Sequence, residues 1–342
     1  FRVSSINDVG TGTPSDTATA TPVSPTLQGQ TSSLGGDNHS ELRYPSVAIA
    51  SNGYPIISST VPDGLTVTRC GDAACNISTP GLHSGAGPVL DTAIAIGDDD
   101  NPIIAYYDSD DLDLRVSYCQ NPQCDYNNYN TVADSGDVGE SPAIAIGNDG
   151  NPVIAYALRD GSPRYSNLRV AGCADATCSS ATLTSLESGR WIGEYNSIAI
   201  GNDGNPVIST WGESGEELLV IMCTDPMCTD AARDGSGYIG NSLGLTGGKG
   251  KFSSMAIGAD GNPVIAYYDT SAENPKLMIA ICADTSCTSA TTQLIAETTL
   301  HAQVSVVIDD GTPLVAYKDC CLDESPFGML RVAKCIDAAC TR

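Results

Sequence analysis

The chain has 342 residues, of which 16 are basic and 41 acidic, so its formal net charge is −25. A surface this acidic repels nucleic acid and anionic membranes, which argues against partners of either kind. No apolar run reaches the ~18 residues of a membrane span. The chain is long enough to bury a sizeable core and shows no long amphipathic helical pattern, so the predicted class is all-β.

The first 22 residues differ from the remainder. Phe1–Ser15, followed by an alternating Thr/Ala run that ends at Pro22, resembles the last two strands of a fibronectin type III domain. Only those strands match, so we expect the chain to be a piece of a longer multi-domain protein. The alternative is a Thr/Ser-rich leader without structure of its own. Residues 23–25 read as a linker, which leaves residues 26–342 as the main domain.

One motif recurs six times along the main domain. Gly201–Ile208, with the sequence Gly-Asn-Asp-Gly-Asn-Pro-Val-Ile, follows a short Ile/Ala run, and close copies occupy 147–154 and 258–265. The six copies place their prolines about 50 residues apart, a period typical of repeat architectures: Pro55, Pro102, Pro152, Pro206, Pro263 and Pro313.

Each copy predicts a four-stranded unit. Asp-Gly or Asn-Gly between two β-branched runs indicates a hairpin, and the following Pro fits the first position of a strand. A third run then ends in Cys, and a polar, Thr-rich fourth run follows. The last copy stops at Arg342 without a fourth run. We expect Thr26–Ser33 to supply it, because ring closure hides two sheet edges.

These repeats resemble those of extracellular six-bladed β-propellers over about residues 24–342. The resemblance implies six four-stranded antiparallel blades, closed by an N-terminal strand that completes the last blade. It implies no activity, because propellers host many functions.

Twelve of the 14 cysteines form six pairs of identical spacing. Zinc needs four ligands close together, which pairs on separate blades do not supply, so we predict a disulfide within each blade and an oxidising, extracellular or cell-surface location. The pairs are Cys70/Cys75, Cys119/Cys124, Cys173/Cys178, Cys223/Cys228, Cys282/Cys287 and Cys335/Cys340.

Two cysteines and two sequons remain. For the adjacent Cys320 and Cys321 we prefer a vicinal disulfide, the alternatives being two free thiols or bonds to another chain. Asn38 and Asn76 begin glycosylation sequons, either of which is also compatible with chance occurrence. Asn76 directly follows Cys75, which we place in an outer strand.

Alignment of the predicted inner strands brings a mixed set of charged and aromatic residues to one mouth of the channel. Such a set is typical of a site for a polar ligand such as a sugar, and the alternative is that the charges pair with each other and close the channel. The candidate ligand-binding residues are Arg43, Tyr44, Asp91, Glu140, Glu194, Tyr195, Lys251, Phe252 and His301.

No catalytic residue stands out, and no cofactor is predicted, with calcium at Asp110, Asp111 and Asp113 as the alternative to a solvated turn. We therefore interpret the chain as a non-enzymatic extracellular module that binds a glycan or protein at a cell or filament surface, in adhesion or in a surface structure. The alternative is a secreted, glycosidase-like hydrolase acting at the channel mouth, since glycosidases need only two carboxylates at a fixed separation.

Overall fold

The chain folds as an all-β, six-bladed β-propeller. The computed structural model describes residues 6–7, 10–11, 43–61, 64–72, 75, 78–84, 88–122, 124–159, 166–186, 191–233, 239–271, 274–298, 303–319 and 329–341. No helix occurs among these residues, and hence none that could cross a membrane. Before the propeller, β1 (Ile6–Asn7) pairs with β2 (Gly10–Thr11). The remainder of the predicted fibronectin-like segment lies outside the described residues.

The first three blades each contain four antiparallel strands in chain order, with the first strand innermost. Blade 1 consists of β3 (Arg43–Ile49), β4 (Pro55–Val61), β5 (Gly64–Cys70) and β6 (Ser78–Ser84). Blade 2 consists of β7 (Val89–Ile96), β8 (Pro102–Asp108), β9 (Asp113–Cys119) and β10 (Asn127–Ala133). Blade 3 consists of β11 (Asp137–Ile146), β12 (Pro152–Arg159), β13 (Ser166–Cys173) and β14 (Ala181–Ser185).

The last three blades repeat this order. Blade 4 consists of β15 (Ile192–Ile200), β16 (Pro206–Gly212), β17 (Glu217–Met222) and β18 (Asn241–Ser242). Blade 5 consists of β19 (Lys249–Ile257), β20 (Pro263–Asp269), β21 (Lys276–Cys282) and β22 (Ala290–Glu297). Blade 6 has three described strands, β23 (Val304–Asp309), β24 (Thr312–Asp319) and β25 (Met329–Lys334).

The recurring motif forms the hairpin between the first two strands, as predicted. In blade 3, the Gly147 N–H donates to the Asn151 carbonyl at 2.8 Å, and Gly150 adopts φ +79°. The Asp149 carboxylate accepts the Asn151 N–H at 3.1 Å, which fixes the turn. Blade 2 has Asp100 in place of the glycine and still adopts φ +63°. The turn geometry is therefore common to blades 1 to 5, and Asp tolerates it where Gly is absent, whereas blade 6 turns through two residues, Asp310 and Gly311.

Apolar side chains fill the boundaries between consecutive blades. Five buried clusters occupy the five boundaries from blade 1/blade 2 to blade 5/blade 6. Hydroxyl groups tie the inner strands together: the Ser46 Oγ accepts the Ile94 N–H at 3.2 Å, and the Ser254 Oγ accepts the Val306 N–H at 3.0 Å. The blades therefore hold the channel by packing and by side-chain hydrogen bonds.

The boundary between blades 6 and 1 differs from these five. In blade 2, Ile94 packs against blade 1 and is 7 % exposed. Val47, the equivalent residue of blade 1, is 50 % exposed, and Val307 on blade 6 is equally exposed. The segment predicted to complete blade 6, residues 26–33, lies outside the described residues, so closure by that strand stays a prediction.

All six predicted disulfides form within blades, each across the turn after a third strand, which confirms the pairing inferred from the spacing. The bonds join Cys70 to Cys75, Cys119 to Cys124, Cys173 to Cys178, Cys223 to Cys228, Cys282 to Cys287 and Cys335 to Cys340. Cys320, Cys321, Asn38 and Asn76 lie outside the described residues.

The second cysteine of each pair differs from the prediction in its backbone. We expected Cys75 in an outer strand, which is wrong, because β6 begins at Ser78 and Cys75 lies in the preceding turn. The other five second cysteines also lie outside the strands. All six adopt a left-handed conformation, with φ between +51° and +55°, that was not predicted: Cys75, Cys124, Cys178, Cys228, Cys287 and Cys340.

The short spacing of the cysteines explains this conformation. Five residues of extended strand span about 16 Å, whereas the paired Cα atoms lie 4.6 Å apart in blade 1 and 4.9 Å apart in blade 5. The chain must therefore reverse within the loop, and the N–H of each second cysteine donates to the carbonyl three residues earlier, as Cys124 does to Asn121 at 3.0 Å. In blade 3, the Asp175 carboxylate also accepts the Thr177 N–H at 2.9 Å and the Ser179 hydroxyl.

Candidate functional site

The inner strands of blades 3, 4 and 5 each begin with a glycine bulge. In blade 3 the register with the second strand slips at Gly139, which adopts φ +114°, and Gly193 and Gly250 do the same in the next two blades. A Cβ at Gly139 would lie 2.8 Å from the Leu114 Cα of blade 2. The bulge therefore brings each inner strand close to the preceding blade, just before the predicted channel-mouth residue.

The residue after each channel-mouth position has a positive φ although it is not glycine. This conformation costs free energy for residues with a Cβ, and such residues cluster at functional sites. The five equivalent residues have φ between +48° and +55°, and they are Tyr44, Asp91, Ser141, Tyr195 and Phe252. The repeat therefore directs two consecutive side chains from each inner strand towards the channel mouth, as bulges do next to active sites.

A pocket of ≈ 300 Å³ opens at this mouth over blades 1 to 4. Its walls combine carboxylates, one guanidinium and phenol rings, which is the composition of a site for a polar ligand with apolar faces. The lining residues are Tyr44, Leu90, Asp91, Tyr107, Glu140, Ser141, Arg159, Glu194 and Tyr195.

Arg159, the last residue of β12, links two of these carboxylates. Its Nε and Nη2 both contact the Glu140 Oε2, and its Nη2 lies 3.9 Å from the Glu194 Oε1. All three side chains are about one quarter exposed, at 27 %, 25 % and 24 % for Arg159, Glu140 and Glu194. The network is accessible from the pocket and only partly screened by water.

Burial acts on two of the carboxyl groups that line the pocket. Burial raises the pKa of Glu194 above its ordinary value, and the nearby Arg159 offsets part of that effect. Burial also raises the pKa of Asp91, although the Ser141 N–H, which donates to it at 3.2 Å, opposes the shift. Glu140 is instead engaged directly by Arg159. The pocket therefore holds two carboxyl groups whose pKa is raised by burial, those of Glu194 and Asp91, beside a third, that of Glu140, which is paired with a permanent cation.

An aromatic cluster adjoins the pocket on blades 4 and 5. The Tyr195 ring lies 4.3 Å from the Phe252 ring and 6.2 Å from the Trp211 ring, between centroids. The Lys251 Nζ lies over the Trp211 ring, 4.6 Å from its centroid, within the range of a cation–π interaction. Tyr195 is thus shared between the pocket and this cluster.

The structure brings most of the predicted residues together. Tyr44, Asp91, Glu140, Glu194 and Tyr195 line one pocket, and Lys251 and Phe252 lie beside it. Arg43 begins β3, but its side chain, like the whole of His301, lies outside the described residues.

Four lining residues were absent from the list of candidates: Leu90, Tyr107, Ser141 and Arg159. Tyr107 and Arg159 sit at the ends of second strands, and the Tyr107 hydroxyl donates to the Asp137 carboxylate at 2.8 Å. In the sequence, only the positions of Tyr107 and Arg159 pointed to the pocket, because each stands next to the loop that joins the second strand of its blade to the third. The glycines before Glu140, Glu194 and Lys251 were a second signal, since an isolated Gly in a strand pattern indicates a bulge.

Two of the three candidate calcium ligands, Asp111 and Asp113, lie next to an arginine. The Arg115 guanidinium contacts the carboxylates of Asp108 and Asp111, and its Nη2 lies 3.7 Å from the Asp113 Oδ2. The Asp110 N–H donates to Asp108 at 3.0 Å. Within the described part of the chain, no group of three or more His, Cys, Asp or Glu side chains is arranged to hold a metal ion. Arg115 accounts for the acidic cluster as an ion-pair network.

Comparison with known proteins places the chain by its fold. No protein-family model matches it, and no curated protein matches its sequence. A protein of unknown function from Dyadobacter fermentans superposes with a TM-score of 0.63 at 13 % identity, over 86 % of this chain and 93 % of that one. At this identity the likeness shows the fold alone.

Two solved enzymes share the architecture. An α-L-arabinanase from Penicillium chrysogenum, in complex with arabinobiose, has a TM-score of 0.56 at 12 % identity, over 86 % of this chain and 93 % of its own. An ulvan lyase of polysaccharide lyase family PL25 has a TM-score of 0.53 at 9 % identity, over 84 % of this chain and 77 % of its own. Both support the propeller assignment.

Proposed function

We propose that the protein is a secreted glycoside hydrolase that cleaves a glycosidic bond next to a neutral sugar held in the channel-mouth pocket. The observation that carries the proposal is the convergence of Asp91, Glu140 and Glu194, from three consecutive blades, in one pocket. Most glycoside hydrolases need one protonated carboxyl group and one carboxylate beside the scissile bond.

The two glutamates supply such a pair. Burial favours the protonated form of Glu194, which suits a general acid that donates to the leaving oxygen. Glu140 is paired with the Arg159 guanidinium, a position that suits a nucleophile or a general base. Because both groups contact the same Arg159 nitrogen, their contacting oxygens lie within the ~10 Å upper limit for paired glycosidase carboxyls.

The pocket composition supports a neutral sugar. Three carboxylates face one guanidinium, so an anionic ring would be repelled. Tyr44, Tyr107 and Tyr195 offer apolar ring faces beside the polar groups. The arabinanase solved with arabinobiose and the ulvan lyase share the fold, which supports a carbohydrate ligand. Six disulfides support a secreted or cell-surface location.

The test is a cleavage screen of neutral oligosaccharides, beginning with arabino-oligosaccharides, with reducing ends as the readout. We expect turnover by the native protein and a loss of at least about 100-fold in Glu194→Gln, the size of a general-acid contribution. Glu297→Gln, an exposed change on the outer strand of blade 5, is the matched control and keeps full activity. Equal activity of Glu194→Gln and the control would refute the assignment.

A second candidate is glycan binding without turnover, as in an adhesion module. It is favoured by one observation: Arg159 engages Glu140 through two nitrogens, which limits the freedom of that carboxylate to react. Binding of a glycan by native protein that releases no reducing ends, with the same affinity in Glu194→Gln, would select this candidate.

A further inference from the structure

Beside the acidic pocket, blades 4 and 5 carry polar groups that are only hydrogen-bond donors. An ammonium group has three donors and no acceptor, and an indole has one donor and no acceptor. Lys251 and Trp211 supply these two groups, and the Lys251 Nζ lies 4.6 Å from the centroid of the Trp211 ring. The pocket next to them is built mainly from acceptors, the carboxylates of Asp91, Glu140 and Glu194.

Neither donor is satisfied by the part of the chain that the structure describes. The Trp211 side chain is buried, with the residue 6 % exposed, and its indole N–H has no acceptor there. Lys251 forms no ion pair within the described residues, whereas its neighbour Lys249 lies 3.8 Å from the Asp269 carboxylate. The Lys251 ammonium therefore contacts the Trp211 ring and interacts electrostatically with Glu194, but has no hydrogen-bond acceptor among the described residues.

The donors adjoin an aromatic surface continuous with the pocket. Tyr195 lines the pocket and also lies 4.3 Å from the Phe252 ring and 6.2 Å from the Trp211 ring. Lys251 and Phe252 occupy the same two inner-strand positions in blade 5 that Glu194 and Tyr195 occupy in blade 4. A sugar unit bound beside the pocket would therefore meet aromatic rings together with donors.

We propose that Lys251, Trp211 and Phe252 form a second subsite, which binds the carboxylate of an acidic sugar unit attached to the neutral unit in the pocket. This inference rests on the proposed function for the placement of the neutral unit. It names the substrate class as a glycan in which a uronate neighbours a neutral sugar. The Lys251 ammonium donates to the carboxylate over the Trp211 ring, while the carboxylates of the pocket repel it, so the charge distribution sets the direction in which the glycan lies.

The test compares binding of uronate-containing disaccharides and their carboxyl-reduced counterparts, measured by calorimetry on the whole chain. The probes carry glucuronate or galacturonate linked to a neutral hexose. We expect the native protein to bind at least one acidic disaccharide about tenfold more tightly than its reduced form, the effect of one net charge-assisted hydrogen bond. Lys251→Met keeps the aliphatic stem over Trp211 and should lose the preference, whereas Lys251→Arg should retain it.

The matched control is Lys334→Met on blade 6, which removes the ion pair with Asp309 away from the channel mouth. It should leave the preference unchanged. Binding of no acidic disaccharide, or an unchanged preference in Lys251→Met, would overturn the subsite. That failure is distinct from failure of the proposed function, because the latter appears as absent cleavage or as full activity of Glu194→Gln. A native preference for the acidic probe without cleavage supports the subsite and refutes hydrolysis.

Discussion

Replacing Gly139 by Ala tests whether the bulge at the start of β11 requires glycine for blade 3 to pack against blade 2. Gly139 has φ +114°, which costs a residue with a Cβ of order 1–3 kcal/mol. The new Cβ would also lie 2.8 Å from the Cα and 3.0 Å from the backbone N of Leu114, a fully buried residue of blade 2. Relief of that overlap requires the blades to separate and costs a further ~1–3 kcal/mol. We expect a loss of about 2–6 kcal/mol in the free energy of unfolding.

Gly136, in the bend just before the same strand, provides the matched control. It has φ +100°, but a Cβ there would meet only the Leu158 Cδ1, at 3.4 Å. Gly136→Ala should therefore cost only the backbone part, of order 1–3 kcal/mol. Guanidinium denaturation of the oxidised protein measures both changes from the transition midpoints and slopes. Equal destabilisation by the two variants would refute the argument that close approach of blade 3 to blade 2 requires glycine.

Three further changes test other parts of the fold. The hydrogen bonds from Ser179 and Thr177 lower the pKa of the Asp175 carboxyl from 3.8 to about 2. Because solvent screens this accessible group, Asp175→Asn should lower stability at pH 7 by only about 1 kcal/mol, less than the full shift implies. That contribution is present above pH 3.8 and is lost as the pH falls towards 2, so urea melts of the native protein and the variant should converge there; a constant difference would contradict it. Replacing both Cys282 and Cys287 by Ser should cost about 2 kcal/mol in the same assay, because the closed loop is short, and no change would refute a stabilising role. Deletion of residues 1–34 should lower the Tm by about 4 °C or more and promote association through the exposed edge of β25, whereas an unchanged Tm and a monomeric variant would show that residues 26–33 do not complete blade 6.

The blade architecture could be predicted because its signals are local. An Asp-Gly turn such as Asp149-Gly150 depends on the φ preference of one residue, and Pro152 marks a strand start because it lacks an N–H. The Cys pairs close short loops, so their partners follow from spacing once strands are assigned. Each of these local signals is weak alone but occurs in six copies, so the all-β class and the number of blades could be predicted.

The backbone of the disulfide loops was not predictable in the same way. Cysteine carries no preference for positive φ, so nothing at Cys75 or Cys228 distinguishes a left-handed turn residue from a strand residue. The conformation follows from the closed loop, in which the Cys228 N–H donates to the Asp225 carbonyl at 3.0 Å. Spacing therefore identifies the bonded partners and leaves the path of the chain between them open.

The pocket was only half predictable, because its members come from two strand positions. The inner strands align by repeat, which predicted that Asp91, Glu140 and Glu194 share one mouth. The partner of Glu140 is Arg159, nineteen residues along the chain and across a strand pairing. Bulges and packing decide which side chain at the end of a second strand contacts the inner strand. The repeated sequence pattern predicts neither of them.

The acidic cluster on blade 2 shows the same limit. Asp110, Asp111 and Asp113 suggested oxygen ligands for a cation, and the carboxylates of Asp111 and Asp113 face the guanidinium of Arg115. The pairing of Tyr106 with Arg115 and of Asp108 with Asp113 across the hairpin brings the arginine there. A cluster of acidic residues in the sequence does not show whether its negative charge is balanced by a bound metal ion or by a basic side chain of the same protein.

The most direct test of the central claim is the pH dependence of glycosidic cleavage by the native protein and by Glu194→Gln. Because burial raises the pKa of Glu194, the group holds its proton above the ordinary range and loses it as the pH rises further. We predict that kcat/KM of the native protein falls at high pH along a limb that titrates above 4.5, and that Glu194→Gln lacks this limb and retains at most about 1 % of the activity. A native rate that is independent of pH across that range, or a variant with the native profile, would contradict a catalytic pair at the channel mouth.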